Sequence, residues 1–159
     1  MEAKIEAKME AIATANNLFQ YNQEFYGIPL DTWTQDAHKY NCDKNNWDYF
    51  PLKKGCFGYD NLAVSIGFAL SLYVYDEHDH DQTLLVADWV HQGWVKNYTY
   101  WRDNCPQDNP VYRYIPPFYP LNDERRNTCA ITPFHYLDKE EREKDIVLAA
   151  FIISKIKSM

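Results

Sequence analysis

The sequence predicts an all-α or mainly α fold: one compact helical domain over residues 1–159, with long Pro- and aromatic-rich loops and room for a short β-hairpin. Three observations carry this. Four segments repeat apolar residues at intervals of three and four. Most of the prolines fall in one stretch between two of those segments. The 159 residues, 46% of them hydrophobic, suffice for one core and do not force a second.

Taken in order, the first expected helix runs from Glu2 to about Phe19. It is rich in Ala, Glu, Lys and Met, all good helix formers, with Ile5, Met9 and Ile12 as its stripe. An irregular stretch is expected from Tyr21 to Tyr59. The second helix begins near Asp60 and runs toward Tyr75, apolar on nearly every face and therefore expected at the centre of the core, with Gly67 allowing a neighbour to approach closely. The third runs from about Gln82 to Tyr98 and is expected to bury Leu84, Ala87, Val90, His91, Trp94 and Tyr98. The fourth starts after Asp138, which with Glu141 forms a D-x-x-E arrangement. Such a pair can cap reciprocally, the Asp138 carboxylate accepting a first-turn N–H while Glu141 reaches back. Ile146, Ala149, Ala150, Ile153 and Ile156 then continue the stripe. Between the third and fourth helices, Thr99 to Tyr136 holds Pro106, Pro110, Pro116, Pro117, Pro120 and Pro133, with short strands expected over Tyr112–Ile115 and Phe118–Leu121. Loops of this length inside a compact domain tend to be functional.

Charge and composition narrow the function. The formal net charge is -7, which repels a phosphate backbone and argues against general DNA or RNA binding, though a local Arg cluster can still hold one small phosphorylated ligand. The N-terminal MEAKIEAKMEAIATANN is charged and lacks the apolar stretch of a secretory leader, and Leu62 to Tyr75 is too short to cross a bilayer. A cytoplasmic protein without a membrane partner is the expectation. Cys42, Cys56, Cys105 and Cys129 form no CxxC pair, so free thiols are expected rather than a zinc site. The acidic run Asp76 to Asp81 lacks the glycine and spacing of a calcium loop, and reads as a solvated turn. Asn97-Tyr98-Thr99 is a sequon of little meaning inside a cell. No cofactor or metal is expected.

Two segments resemble the RyR domain, the repeat of ryanodine receptors that also occurs as stand-alone bacterial and phage proteins. Val90-His91-Gln92-Gly93-Trp94 is similar to its V-H-x-x-W helix. Pro133-Phe134-His135-Tyr136-Leu137-Asp138-Lys139-Glu140-Glu141-Arg142-Glu143-Lys144-Asp145 is similar to its closing P-Y-x-x-L-x-x-x-E-K-x-x-D, with Phe134 for Tyr and Arg142 for Lys. Ile146 stands where the family usually has Arg. The similarity spans residues 84–158; residues 1–80 would then form an additional N-terminal helical layer. The resemblance implies a compact adaptor or ligand-sensing module with no hydrolytic or redox centre.

The candidate ligand-binding residues are His91, Trp94, Trp101, Arg102, Arg113 and Asp145. His91 and Trp94 share one helix face, so they can wall a pocket or pack together in the core. Arg102 follows Trp101, and Arg113 lies between Tyr112 and Tyr114. A guanidinium suits carboxylate or phosphate oxygens, and Tyr and Trp rings can stack a base; the alternative is that Arg102, Arg113, Arg125 and Arg126 pair with the excess acids. Asp145 can pair with Arg142, Lys144 or a loop Arg. No Gly-rich phosphate loop, G-x-S-x-G elbow or H-E-x-x-H is present. The expected function is therefore non-catalytic capture of a small anionic or nucleotide-like ligand, such as a signalling nucleotide. A protein-interaction or homo-oligomeric module using exposed rings is the alternative, and an enzyme without a local signature the third.

Overall fold

A computed structural model describes residues 23–52, 54, 57–75, 81–104 and 122–159. The helix expected over residues 2–19, the strands expected over 112–115 and 118–121, residues 76–80 of the acidic turn, and Cys56, Cys105 and Arg113 lie outside the described residues. The described part is mainly helical, with five α-helices and one small hairpin.

The hairpin pairs β1 (Glu24–Phe25) with β2 (Ile28–Pro29), antiparallel, with Glu24 opposite Pro29 and Phe25 opposite Ile28. Its two-residue turn places Tyr26 at φ 56° and Gly27 at φ 74°, the left-handed pair that matches strand twist. It lies in the first irregular stretch, far from the segments where strands were expected.

The hairpin leads directly into a helix, α1 (Leu30–Lys44), which corrects the loop expected there. Leu30, Trp33, Thr34 and Ala37 are buried at i, i+3, i+4 and i+7, a full apolar face despite modest helix formers around it. The Thr34 hydroxyl is satisfied by donating to the Leu30 carbonyl at 2.8 Å, and the Trp33 indole N–H donates to the Phe25 carbonyl at 3.1 Å. The helix ends with Asn46 at φ 55°, the Trp47 N–H returning to the Cys42 carbonyl at 2.9 Å. This is the Schellman termination, in which Asn tolerates the left-handed position. The segment that follows is held along α1 by the Gln35 amide, which both donates to the Leu52 carbonyl (2.8 Å) and accepts from its N–H (3.0 Å).

Helix α2 (Phe57–Leu72) is buried on most sides, as its near-continuous apolar sequence requires. Helix α3 (Thr83–Asn104) starts where Asp81 accepts the Thr83 N–H at 3.0 Å and continues six residues past Tyr98 into the stretch expected to be irregular. Its inner face uses Val86, Ala87, Val90, His91, Asn97, Tyr98 and Trp101, while Leu84 is exposed. Burial of Asn97 inside a helix places the sequon out of reach of any modifying enzyme. The two helices meet at Gly93, where an added Cβ would lie 2.8 Å from the Phe68 Cβ and 3.0 Å from the Val64 carbonyl oxygen.

A short helix, α4 (Glu124–Ala130), again lies within the expected loop; its N-cap Asp123 accepts the Arg126 N–H at 2.7 Å. A 3₁₀ turn at Phe134–Tyr136 leads to α5 (Lys139–Lys157). Asp138 is the N-cap by backbone geometry, but its side chain makes no cap bond and Glu141 does not reach back. The reciprocal cap expected from the sequence is absent because Glu141 is engaged by Arg125 and Lys144 instead. The buried face of α5 is Leu148, Ala149, Ile152 and Ile156, rotated from the expected stripe so that Ala150 is exposed.

One hydrophobic cluster joins Leu30 and Trp33 of α1, Ile66 of α2, Val90 of α3, Phe134 of the 3₁₀ turn and Ile152 of α5. The second half of the chain therefore shares its core with α1 and α2. Among the described residues no helix is long and apolar enough to cross a membrane.

Candidate functional site

A cavity of about 710 Å³ opens between the C-terminal end of α1, the first half of α2, the middle of α3 and the N-terminal turns of α5, with α4 along one side. His91, Trp94 and Asp145 all line it. Two segments distant in the sequence thus meet here: His91 and Trp94 come from α3, Asp145 from α5.

His91 is 5% exposed. Its Nε2 lies 2.8 Å from the Thr132 carbonyl oxygen, which can only accept, so Nε2 carries the hydrogen. Its Nδ1 faces the Asp145 Oδ2 at 3.6 Å, and the Asp145 side chain is 15% exposed. Burial pushes the imidazole below its ordinary value, and the bond to Thr132 opposes that shift without cancelling it. Burial also pushes the Asp145 carboxyl up to about 7, with the nearby Glu141 charge adding to the effect and Lys144 opposing it. Both shifts favour the uncharged forms of the two groups. Asp145 was expected to pair with Arg142, Lys144 or a loop Arg; its ionisable neighbour is an imidazole instead.

Trp94 sits in a ladder of rings along α3. His91 stacks with it at 6.0 Å between centroids and 11° between planes, and Tyr98 at 5.0 Å and 6°. The spacing i−3 and i+4 puts one ring on either side along the helix axis. Trp94 therefore offers the cavity mainly its edge, and the open stacking platform expected of it is largely occupied by its own neighbours.

The remaining candidates do not join this site. Trp101 is fully buried, its indole N–H donating to the Asp60 carboxylate at 2.8 Å and its ring meeting Phe57 edge-on at 5.7 Å. Its expected place in the pocket is corrected: α3 continues as a helix past Tyr98, which turns position 101 into the core. Arg102 lies over the Tyr98 ring at 5.6 Å and donates to Asp103 and Asn127, each at 3.1 Å. It forms part of the α3–α4 contact. Arg113 lies outside the described residues.

The cations that do line the cavity are Lys44, Arg125, Arg126 and Lys144. Arg125 donates to Glu141 at 2.8 Å, Lys144 to the same carboxylate at 3.1 Å, and Arg126 pairs with Asp123. Burial alone would raise the Glu141 carboxyl, but these two cations hold it below its ordinary value. Arg102, Arg125 and Arg126 thus do pair with acids. Lys44 differs: among the described residues it meets only a ring, that of Tyr40 at 5.8 Å. Sequence reasoning missed the wall that holds Lys44, because the helix that presents it was not expected; the Asn45-Asn46 pair ending that helix was the available signal.

Cys129 is a free thiol on the cavity wall, buried, with burial pushing it above its ordinary value. A thiol held protonated is a poor nucleophile. Among the described residues no cluster of His, Cys, Asp or Glu could hold a metal ion.

No protein-family model, curated protein or solved structure matches this chain.

Proposed function

We propose that this protein is a non-catalytic binding module of the RyR-like kind, and that the cavity between α1, α3 and α5 captures a small ligand carrying an anionic group, a signalling nucleotide among the candidates. The observation that carries the reading is the convergence of His91, Trp94 and Asp145 on one cavity whose wall also bears Lys44, Arg125 and Lys144. A volume of this order suits a small molecule. The Arg125 and Lys144 side chains are half exposed or more, so solvent screens their pairs with the less exposed Glu141 and both cations can turn to a ligand's phosphate or carboxylate. The protonated state of Cys129 favours binding over thiol chemistry.

A thermal-shift screen of nucleotides, cyclic dinucleotides and anionic metabolites tests this. A ligand present at about 100 times its dissociation constant adds about 2.7 kcal/mol of stability, a shift of several degrees for a domain of this size. Trp94→Ala and Lys144→Ala are expected to lose that shift. Arg102→Ala is expected to keep it, because Arg102 lies outside the cavity. A screen without any ligand response would reject the reading.

A second reading, a protein-interaction or oligomeric module, is favoured by one feature. After α1, Trp47 is 62% and Phe50 64% exposed, with Tyr49 beside them. Exposed rings of this size are typical interface anchors. A change in hydrodynamic size with protein concentration, abolished by Trp47→Ala, would support it; a constant monomer would remove its self-association form.

A further inference from the structure

The Asp145 carboxyl is largely buried on the cavity wall, yet among the described residues no N–H or O–H donor reaches it. Its one ionisable neighbour at close range is the His91 Nδ1, 3.6 Å from Oδ2. The His91 ring cannot turn to help further, because its Nε2–H is committed to the Thr132 carbonyl. At 3.6 Å the Nδ1 is too far for a hydrogen bond, so among the described residues Oδ1 and Oδ2 are both acceptors without a donor. The carboxyl is largely withdrawn from water on the cavity wall, so a molecule that supplies the missing donor gains more here than at a solvated surface.

We infer that the cavity selects ligands whose planar ring carries an amino group, that this amino N–H donates to the Asp145 Oδ1, and that Asp145 is the specificity-determining residue. The inference rests on the cavity being a ligand site. The partner fits the surroundings in two ways. Ring edges and apolar side chains, including Trp94, Phe57 and Leu62, form much of the wall and suit a flat ring. The Asp145 carboxyl suits the donor as well: an oxygen that carries no proton accepts an amino N–H, and a cationic ring favours the ionised form. A ring carbonyl at the same position sets oxygen against oxygen once the carboxyl is ionised, and is disfavoured.

The test uses matched pairs that exchange one amino group for a carbonyl: cytidine against uridine 5′-monophosphate, and adenosine against inosine 5′-monophosphate, titrated calorimetrically into the full chain. The amino member of at least one pair is expected to bind about tenfold tighter or more, the scale of a hydrogen bond to a buried, charge-capable acceptor. In Asp145→Asn the ratio is expected to fall to within about twofold, because the amide can turn either an oxygen or an N–H toward the ligand. Equal binding of both members by the wild type would overturn the selectivity while leaving the cavity as a ligand site. An unchanged ratio in Asp145→Asn would overturn the role of Asp145. Failure of all four nucleotides, with other anionic ligands still stabilising the protein, would overturn the amino-ring class alone; failure of every ligand would overturn both readings.

Discussion

At the scale of single residues, the structure separates side chains that look alike in the sequence. His91, Trp94, Tyr98 and Trp101 all belong to one helix, yet only the first two line the cavity, and Trp101 is a core residue bound to Asp60. Trp101→Phe deletes a donor to a buried carboxylate and is expected to cost about 2–3 kcal/mol, read as a lower midpoint in urea denaturation. Asp145 is expected to behave in the opposite sense. Its folded-state value of about 7 lies above the ordinary carboxylate range, so the folded protein holds a proton that the unfolded chain has already lost. That difference weakens the fold as pH rises through the interval from about 4 to about 7, and the full cost applies above it. Asp145→Asn is therefore expected to be close to wild type at pH 4 and more stable by about 2–4 kcal/mol at pH 8. Parallel pH curves for the two proteins would contradict the burial argument. His91 contributes the reverse slope: its lowered value makes the folded state resist protonation, so stability falls as pH drops below about 6.5.

At the scale of elements, periodicity identified helices α2, α3 and α5, and it failed where composition outweighed spacing. Leu30, Trp33, Thr34 and Ala37 repeat at helical intervals, but they are interleaved with Asp31, Thr32 and Asp36, residue types that are poor helix formers in isolation. Tertiary burial of Trp33 and Leu30 overrides that weak preference, and α1 forms. The D-x-x-E pattern before α5 marked the helix start correctly, with Asp138 at the N-cap, but not its bonding. A local cap competes with any cation within reach, and Arg125 arrives from α4, a partner sixteen residues away that no local pattern reveals. The α2–α3 contact gives the sharpest element-level prediction. Gly93→Ala places a methyl group against the Val64 carbonyl oxygen and the Ser65 Cα, backbone atoms that cannot step aside without moving the helix. We expect a loss of about 1–3 kcal/mol, despite the better helix propensity of Ala, measurable as a lowered melting temperature. A more stable Gly93→Ala protein would show that the two helices are packed less tightly.

At the scale of the whole molecule, the site exists because distant parts of the chain share one core. The candidates His91, Trp94 and Asp145 were legible in the sequence because they sit on strongly periodic helices. The opposite wall was not, since it depends on α1, and the proposed roles of Trp101 and Arg102 failed because the length of α3 could not be judged from an aromatic run that continues past its expected end. If the cavity is the ligand site, a small ligand enters beside Trp94. The most direct test follows the indole N–H resonances of the 5 tryptophans while a ligand from the screen is added. The Trp94 signal is expected to move with ligand concentration, while those of Trp33 and Trp101, held by the Phe25 carbonyl and by Asp60, stay in place. A saturating ligand that leaves the Trp94 signal unchanged would contradict entry at this cavity.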